Sequence, residues 1–195
     1  MSGFHKAFSR NGQYKPGNYM PAIGEIYQGG KVAFIAADES YILIVAEADS
    51  DSKPWYPSAY SYVKGISNEY ACGADNDALI IAEFGAGDYA AKLASYSNIN
   101  KYNDWYIPSV GEWQDMVQTL TEGQSLGLYN YQKGGMATAS NEYWTSTNIN
   151  TYSQYIYAVW FDMYNIGWDA TIPTPQLTKR VRLVRKLTAP FPNPS

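Results

Sequence analysis

Carboxylates form the first pattern in this sequence that could do chemistry. They crowd into two loop-like stretches, "DSD" at 49–51 and "DND" at 75–77. Carboxylate oxygens are ligands that Ca²⁺ prefers, but neither stretch continues with the glycine and the distant glutamate of an EF-hand loop. No pair of acids is placed for acid–base catalysis. We therefore predict no metal site and interpret the following as solvated loop acids: Asp49, Asp51, Asp75, Asp77 and Asp88.

Cysteine and histidine each occur once, as Cys72 and His5. A single cysteine excludes an intrachain disulfide, and the two residues together are too few for a zinc site of the usual ligands. Because His5 lies near the start of the sequence, a Ser-His-Asp triad in the body of the chain is disfavoured. The sequence therefore predicts no catalytic residues, no cofactor and no enzyme activity.

Glycines in "FGAGDYA" imitate a dinucleotide-binding loop, with Gly85 and Gly87 ahead of a predicted helix and Ala90 three residues further on. In a true loop of this kind, backbone N–H groups at the helix start bind a pyrophosphate. The repeated strand–helix–strand units that such a loop requires are not visible around it. We interpret the two glycines as the turn into the helix.

Basic residues concentrate in "KRVRLVRK" at 179–186. On a strand their side chains divide between two faces, which disfavours a nucleic-acid patch. The net charge of −4 gives no overall attraction to nucleic acid or to an anionic membrane. The apolar runs are too short to cross a bilayer. We predict that these charged groups form ion pairs with local acids and keep solvated heads: Lys179, Arg180, Arg182, Arg185 and Lys186.

Aromatic residues make up 16% of the chain, and several of them crowd "NEYWTSTNINTYSQYIYAVWF" at 141–161. Alternation along its second strand places Tyr155, Tyr157 and Val159 on one face, and Ile156, Ala158 and Trp160 on the other. Aromatic residues are favoured in any strand, so part of this set is expected to be core. Exposed tyrosine beside Asn, Ser and Thr is typical of a recognition surface, so the remainder predicts binding.

Strand and helix signals place these residues in an α+β fold. Strands are predicted at 25–37 (broken at Gly29-Gly30), 41–48, 142–147, 155–163 and 179–187, and a helix at 87–97. A second helix is predicted to begin near Ser109, because Ser109 and Glu112 have the spacing of a capping box. Residues 49–76 and 121–140 are predicted as loops, and 78–84 as a short apolar stretch. The order lacks the alternation of a parallel sheet, so an antiparallel sheet is expected.

The chain divides into an arm or attachment segment at 1–22, a folded domain at 23–188 and an irregular tail at 189–195. The first residues, "MSGFHKAFSRNGQYKPG", lack the apolar run of a secretory signal. We therefore expect that any route out of the cytoplasm uses no leader in this sequence.

Five blocks of the sequence resemble, in order, those of the DUF1566 family, the C-terminal domain of collagen-like surface proteins. They are "GEIYQGGKVAFI" (24–35), "DWYIPSVGEW" (104–113), "YWTST" (143–147), "YAVWF" (157–161) and "RVRLVR" (180–185). The resemblance covers about residues 24–187. It implies a C-type-lectin-like domain with two helices, small antiparallel sheets and long loops that end in a ligand-facing surface.

The family occurs in bacterial surface proteins, phage receptor-binding proteins and the variable proteins of diversity-generating retroelements. Diversity in those variable proteins lies between the strands that resemble "YWTST" and "VRLVR". By position, the resemblance implies that ligand is bound by Asn148, Asn150, Tyr152, Ser153, Tyr155, Asp162, Tyr164, Asn165, Trp168 and Asp169. All of these except Trp168 are residue types that the NNY codons made by such retroelements encode.

Two departures limit what the resemblance implies. The Glu-Pro-Asn, Gln-Pro-Asp and Trp-Asn-Asp motifs of Ca²⁺-dependent sugar binding are absent, and the related formylglycine-generating enzymes need two active-site cysteines. We therefore expect a non-enzymatic module of a phage virion or bacterial cell surface that binds a host surface receptor, either protein or glycan. Other virion or surface proteins and further copies of the chain, with a trimer as one candidate, are expected partners. The alternative is a structural decoration or assembly protein that uses the same aromatic residues for subunit contacts.

Overall fold

Nine strands and three helices make up the part of the chain that the structure describes, residues 19–69, 71–121, 142–149, 155–161 and 166–194 of a computed structural model. The strands are β1 (Ile26–Tyr27), β2 (Gly30–Ile35), β3 (Tyr41–Val45), β4 (Ser50–Pro54), β5 (Tyr143–Asn148), β6 (Ile156–Phe161), β7 (Ile166–Thr171), β8 (Thr178–Val181) and β9 (Val184–Thr188). The helices are α1 (Gly73–Phe84), α2 (Ala90–Ser95) and α3 (Val110–Thr121). The expected α+β class is confirmed.

The first sheet has the strand order β1-β2-β3-β9, and each neighbouring pair is antiparallel. Its first hairpin turns at Gln28 and Gly29, whose φ angles of 47° and 94° suit a tight two-residue turn. A Cβ on Gly29 would lie 2.4 Å from Cδ2 of Tyr102, so this position also lacks space for a side chain. The predicted break at Gly29-Gly30 is therefore confirmed as a turn.

The second sheet has the strand order β4-β8-β5-β6-β7. All of its pairs are antiparallel except β5 with β8, which run parallel where Tyr143 lies opposite Arg180. The prediction of one continuous strand at 179–187 is wrong, because the strand is interrupted at Arg182 and Leu183. Its first part is β8 of this sheet and its second part is β9 of the other, so the stretch links the two sheets.

Two helices were predicted and both are present, but the described residues contain a third, α1, that was not predicted. At α3 the capping box is present, with Ser109 N donating to Glu112 Oε2 (2.8 Å) and Glu112 N donating to Ser109 Oγ (3.2 Å). The predicted helix at 87–97 is confirmed as the shorter α2. The loop predicted at 49–76 is wrong, because it holds β4 and the start of α1. No helix within the described ranges is long and apolar enough to cross a membrane.

Two clusters of buried side chains lie against the sheets. The larger cluster includes Trp55, Trp144, Ile156 and Ala158, and the smaller includes Trp113, Tyr143 and Val159. Ile156 and Ala158 on one face of β6 and Val159 on the other therefore reach different clusters, as the predicted alternation requires. The indole N–H of Trp144 donates to the carbonyl of Lys53 (2.8 Å), so burial of this ring leaves no polar atom without a partner.

Basic residues of 179–186 form ion pairs, as predicted, but three of them do so inside the protein. Lys179, Arg182 and Arg185 are 2%, 2% and 4% exposed, so the expectation of solvated charges is wrong for them. Their partners are Glu142, Asp49 and Asp104, respectively. Because the chain passes from one sheet to the other here, neighbouring elements cover both sides of the stretch, and buried charges require such partners.

The two ends of the described fold meet at β1. The ring of Tyr19 stacks on that of Tyr27, with centroids 5.5 Å apart, and the Tyr27 hydroxyl donates to the carbonyl of Pro192. The side chain of Gln28 donates to the carbonyl of Asn193 (3.2 Å), and Phe191 is buried in the larger cluster. The predicted tail at 189–195 thus contains no helix or strand within its described residues, yet it packs on the domain.

Candidate binding surface

The β5–β6 hairpin carries the first group of predicted ligand-binding residues. Asn148 lies opposite Ile156, and Ile149 N donates to Tyr155 O (2.9 Å), which closes the neck of the hairpin loop. Tyr155 is half-buried at this neck. The remaining predicted members, Asn150, Tyr152 and Ser153, lie outside the described residues.

Asn148 does not lie on the surface, contrary to the expectation from the sequence. Its side chain is 3% exposed, and its Nδ2 donates to the carbonyl of Val63 (3.1 Å). The amide therefore joins the end of β5 to the loop that precedes α1. Because a buried side chain cannot contact a macromolecular ligand, we remove Asn148 from the candidate surface.

The β6–β7 hairpin carries the second group, and its register places that group at the other end of β6. Six consecutive pairs run from Ile156 opposite Thr171 to Phe161 opposite Ile166. Asp162, Tyr164 and Asn165 follow Phe161 and lie outside the described residues. At about 3.4 Å per residue, the two ends of β6 are about 17 Å apart. The chain therefore leaves β6 for the two predicted groups from opposite ends.

β7 presents the predicted residues that are most exposed. Trp168 is 38% exposed and lies opposite Val159, whereas Asp169 is exposed and lies opposite Ala158. Successive side chains of a strand point to opposite faces, so Trp168 and Asp169 project from different faces of the sheet. We use the name hairpin surface for the exposed atoms of Tyr155, Trp168, Asp169 and Ile172.

A glycine shapes the hairpin surface next to Trp168. A Cβ on Gly167 would lie 2.1 Å from Cζ2 of Trp160, so the indole of Trp160 lies over the backbone of β7. This contact keeps Trp160 half-buried although it belongs to the outermost hairpin of the sheet. All six tryptophans lie in the described ranges, and Trp168 is the one that is exposed rather than buried or half-buried.

Two exposed apolar side chains near the loop neck were not predicted. Ile172 follows Thr171 and is 49% exposed. Tyr62 is 39% exposed and precedes Val63, whose carbonyl accepts the hydrogen bond from Asn148. The hydroxyl of Tyr56 donates to the carbonyl of Pro173 (3.0 Å), which ties this loop to the residues after β7. The tyrosines of "PWYPSAYSY" were a signal for such a surface, but their partners lie far away in the sequence.

Two acids of the loop-like stretches, Asp49 and Asp77, form hydrogen bonds to protein groups instead of being solvated as predicted. Asp49 accepts hydrogen bonds from Arg180 (3.0 Å), Arg182 (2.6 Å) and the hydroxyl of Tyr143 (3.0 Å). Asp77 is buried and accepts one from Ile107 N (2.8 Å). The prediction of solvated acids is therefore wrong for Asp49 and Asp77. Across the described ranges, no group of three or more His, Cys, Asp or Glu is arranged to hold a metal ion.

Glu112 and the groups that bind its carboxylate form a buried cluster between the starts of α1 and α3. Glu112 accepts hydrogen bonds from Gly73 N (3.2 Å), Ser109 N (2.8 Å) and the Tyr106 hydroxyl (2.7 Å). Burial raises the pKa of Glu112, although these bonds act in the opposite direction. A Cβ on Gly73 would lie 2.4 Å from Oε2 of Glu112, so glycine permits the close approach of the helices. We interpret the cluster as a clamp between them.

Cys72 borders this clamp but lacks the features of a nucleophile. Burial raises the pKa of its thiol, so little thiolate is present near neutral pH. Its Sγ donates to the carbonyl of Glu69 (2.8 Å). The geometry favours a structural role for this region.

Comparisons with known proteins add a distant likeness to a solved structure. No family model matches the chain, and no curated protein matches it. Among solved structures, the chain is similar to a fimbrial protein from Bacteroides ovatus, with a TM-score of 0.45 and 13% sequence identity over 73% of this chain. The likeness spans 35% of that protein. A likeness of this degree supports neither a family nor a function, so the C-type-lectin-like arrangement stays a prediction.

Proposed function

We infer that the chain is a non-enzymatic binding module of a phage virion or bacterial surface structure, and that it contacts its ligand through the hairpin surface. The exposure of Trp168 carries this inference. Four other tryptophans are buried and Trp160 is half-buried, so an exposed indole on an outer strand is an exception in this molecule. Tryptophan is the residue most often found to dominate binding energy at interfaces.

The surroundings of Trp168 suit a protein or glycan ligand. On the face of Trp168, the half-buried Tyr155 adds a hydrogen-bonding group and Ile172 adds apolar area, and Asp169 adds a carboxylate on the opposite face of the same strand. Such a mixture of rigid aromatic side chains with short polar ones is typical of recognition surfaces. In one form of the proposal, positions between about Asn148 and Thr178 are diversified by a retroelement, and sequencing of neighbouring genes for a reverse transcriptase would test that form.

Alanine substitution on the hairpin surface tests the proposed function. Labelled full-length chain is applied to a panel of bacterial cells, and Trp168→Ala should weaken binding at least about tenfold, which corresponds to about 1.4 kcal/mol. Tyr96→Ala is the matched control, because Tyr96 is 59% exposed but lies at the end of α2. Undiminished binding by a folded Trp168→Ala variant would show that the hairpin surface is not the ligand site.

The alternative function, a structural or assembly protein, is favoured by the same observation. An exposed aromatic residue on an outer strand can equally bury against a neighbouring subunit. The two functions predict different effects of Trp168→Ala. If the protein is an assembly protein, the variant should have a lower oligomeric state, measured by light scattering in the absence of cells and ligand. A folded variant with an unchanged oligomeric state and weaker cell binding would favour the receptor-binding function.

A further inference from the structure

Edge strands of a sheet expose unpaired backbone N–H and C=O groups, and proteins usually protect them. In the first sheet, β1 has two residues, and the backbone of Val184 in β9 exchanges hydrogen bonds with Tyr106 (2.9 and 3.0 Å). In the second sheet, β4 has an irregular register between Ser50 and Lys53 and ends at Pro54. Three of the four edges are thus short, covered or distorted.

β7 is the fourth edge, and within the described residues it has none of these protections. Its register with β6 is regular over six residues, and its sequence, "IGWDAT", contains neither proline nor lysine. The residues at 168–170 are exposed. Its one charged residue is Asp169. A regular, exposed edge of this length is suited to pair with an additional strand.

The negative charge of Asp169 on β7 indicates which kind of segment could pair with this strand. Pairing of β7 with the β7 of a second copy would bring two Asp169 side chains into one small sheet. A basic segment would avoid this repulsion. Residues 1–18 contain Lys6, Arg10 and Lys15 and no acid, whereas the other residues carry a net charge of −7.

The sequence of residues 1–18 also suits an added strand. In "FHKAFSR", an extended chain would place Phe4, Lys6 and Phe8 on one side and the smaller Ala7 on the other. With Lys6 opposite Asp169 in an antiparallel pair, Ala7 lies opposite Trp168. This register joins opposite charges across the strands and places a small residue beside the indole.

We propose that β7 accepts residues 1–18 of a second copy of this chain as a sixth strand of the second sheet. The inference goes beyond the proposed function, because strand pairing uses the backbone of β7 whereas ligand contact uses side chains on its faces. Since both copies carry the segment and the edge, the exchange either closes as a ring or extends from copy to copy.

Sedimentation velocity of the full chain over a wide concentration range, without ligand, tests this proposal. Self-association is expected, and Asp169→Lys or the double change Lys6→Glu with Arg10→Glu should each weaken it at least about tenfold. Asp51→Lys is the matched control, since Asp51 is an exposed acid on β4, the other edge of the same sheet. An equal loss of association with Asp51→Lys would indicate a general charge effect and overturn the proposal.

A charge exchange makes the test specific. A mixture of Asp169→Lys chains with Lys6→Glu/Arg10→Glu chains should form mixed complexes, because each segment again meets an edge of opposite charge. Hydrogen–deuterium exchange should show that amides at 167–172 become protected as concentration rises, while those of β4 do not change. A monomer at every concentration, or association without protection at 167–172, would overturn the proposal.

Discussion

β5 and β7 both pair with β6, yet one is buried along its whole length and the other is largely exposed. β5 lies between β6 and β8, and its Trp144 and Tyr143 enter the larger and the smaller cluster, respectively. Among the described strands, β7 has a neighbour on one side only, β6. Both strands combine tryptophan with small and polar residues, so position in the sheet, more than composition, decides which strand forms core and which forms surface.

The largest difference in the free energy of unfolding is expected between alanine variants of the tryptophans in the two strands. Trp144→Ala removes a fully buried ring and is expected to lower the free energy of unfolding by about 4 kcal/mol. Trp168→Ala, on the exposed strand, should lower it by less than about 1 kcal/mol. Urea unfolding followed by circular dichroism measures both values. Equal losses would mean that β7 is as much a part of the core as β5.

A buried ion pair at the start of β5 gives the second contrast. Lys179→Met removes the partner of Glu142, which precedes β5 and is 7% exposed, and leaves that carboxylate buried without its cation. We expect a loss of about 3 kcal/mol. Lys53→Met is the control, because its partner Asp88 is 75% exposed at the side chain, and it should cost less than about 1 kcal/mol. A similar cost for both variants would argue against the burial of the first pair.

Threonines near the ends of the two strands provide a matched pair of smaller changes. The hydroxyl of Thr147 in β5 accepts a hydrogen bond from Val110 N (3.1 Å), so Thr147→Val leaves a buried N–H group unpaired. This should cost about 2 kcal/mol. Thr171→Val in β7 is expected to change stability by less than about 0.5 kcal/mol. The midpoints of thermal unfolding of the two variants would reveal the difference.

A buried acid with no counterpart on β7 gives a contrast that depends on pH. Burial raises the pKa of Asp115 from 3.8 to about 6, although the hydroxyl of Tyr41 (3.3 Å) acts to lower it. Because the folded state holds this proton more tightly, the contribution of Asp115 to stability is fully present below about pH 4 and is lost as the pH rises through about 6.

Urea unfolding between pH 4 and pH 8 tests that contribution. Asp115→Asn should remove the part of the pH dependence that lies between about pH 4 and about pH 6. Tyr41→Phe should move it to higher pH, because the hydrogen bond that lowers the pKa is absent. An identical pH profile for Asp115→Asn and the unchanged chain would exclude this carboxyl as its source.

Local patterns in the sequence predicted the parts of the fold that depend on near neighbours. The capping box of Ser109 and Glu112 involves residues three apart, and it is present. The start of α1 was missed because Asp75, Asn76 and Asp77 are typical of loops. Two of them serve distant partners: Asn76 bonds to Ser67 and Asp77 to Ile107. Such partners are known only once the chain is folded.

The candidate surface was predicted in composition but not in arrangement. Two consecutive hairpins share one strand and turn at its opposite ends. The strand boundaries alone could therefore have shown that the predicted ligand-binding residues before β6 and those after it lie at opposite ends of this strand. The burial of Asn148 was beyond such reasoning, since its partner Val63 lies 85 residues away. The exposure of Trp168 depends on β7 being the outermost strand, and no local pattern encodes strand order.

The meeting of Tyr19, Tyr27 and Pro192 has a consequence for engineering. A short linker from Asn193 to Tyr19 would join the two ends of the described fold, and the chain could be reopened at the exposed turn at Asp38 and Glu39. Such a circular permutant should keep the strand order of both sheets. The hairpin surface would then be displayed from a scaffold whose attachment point can be chosen freely.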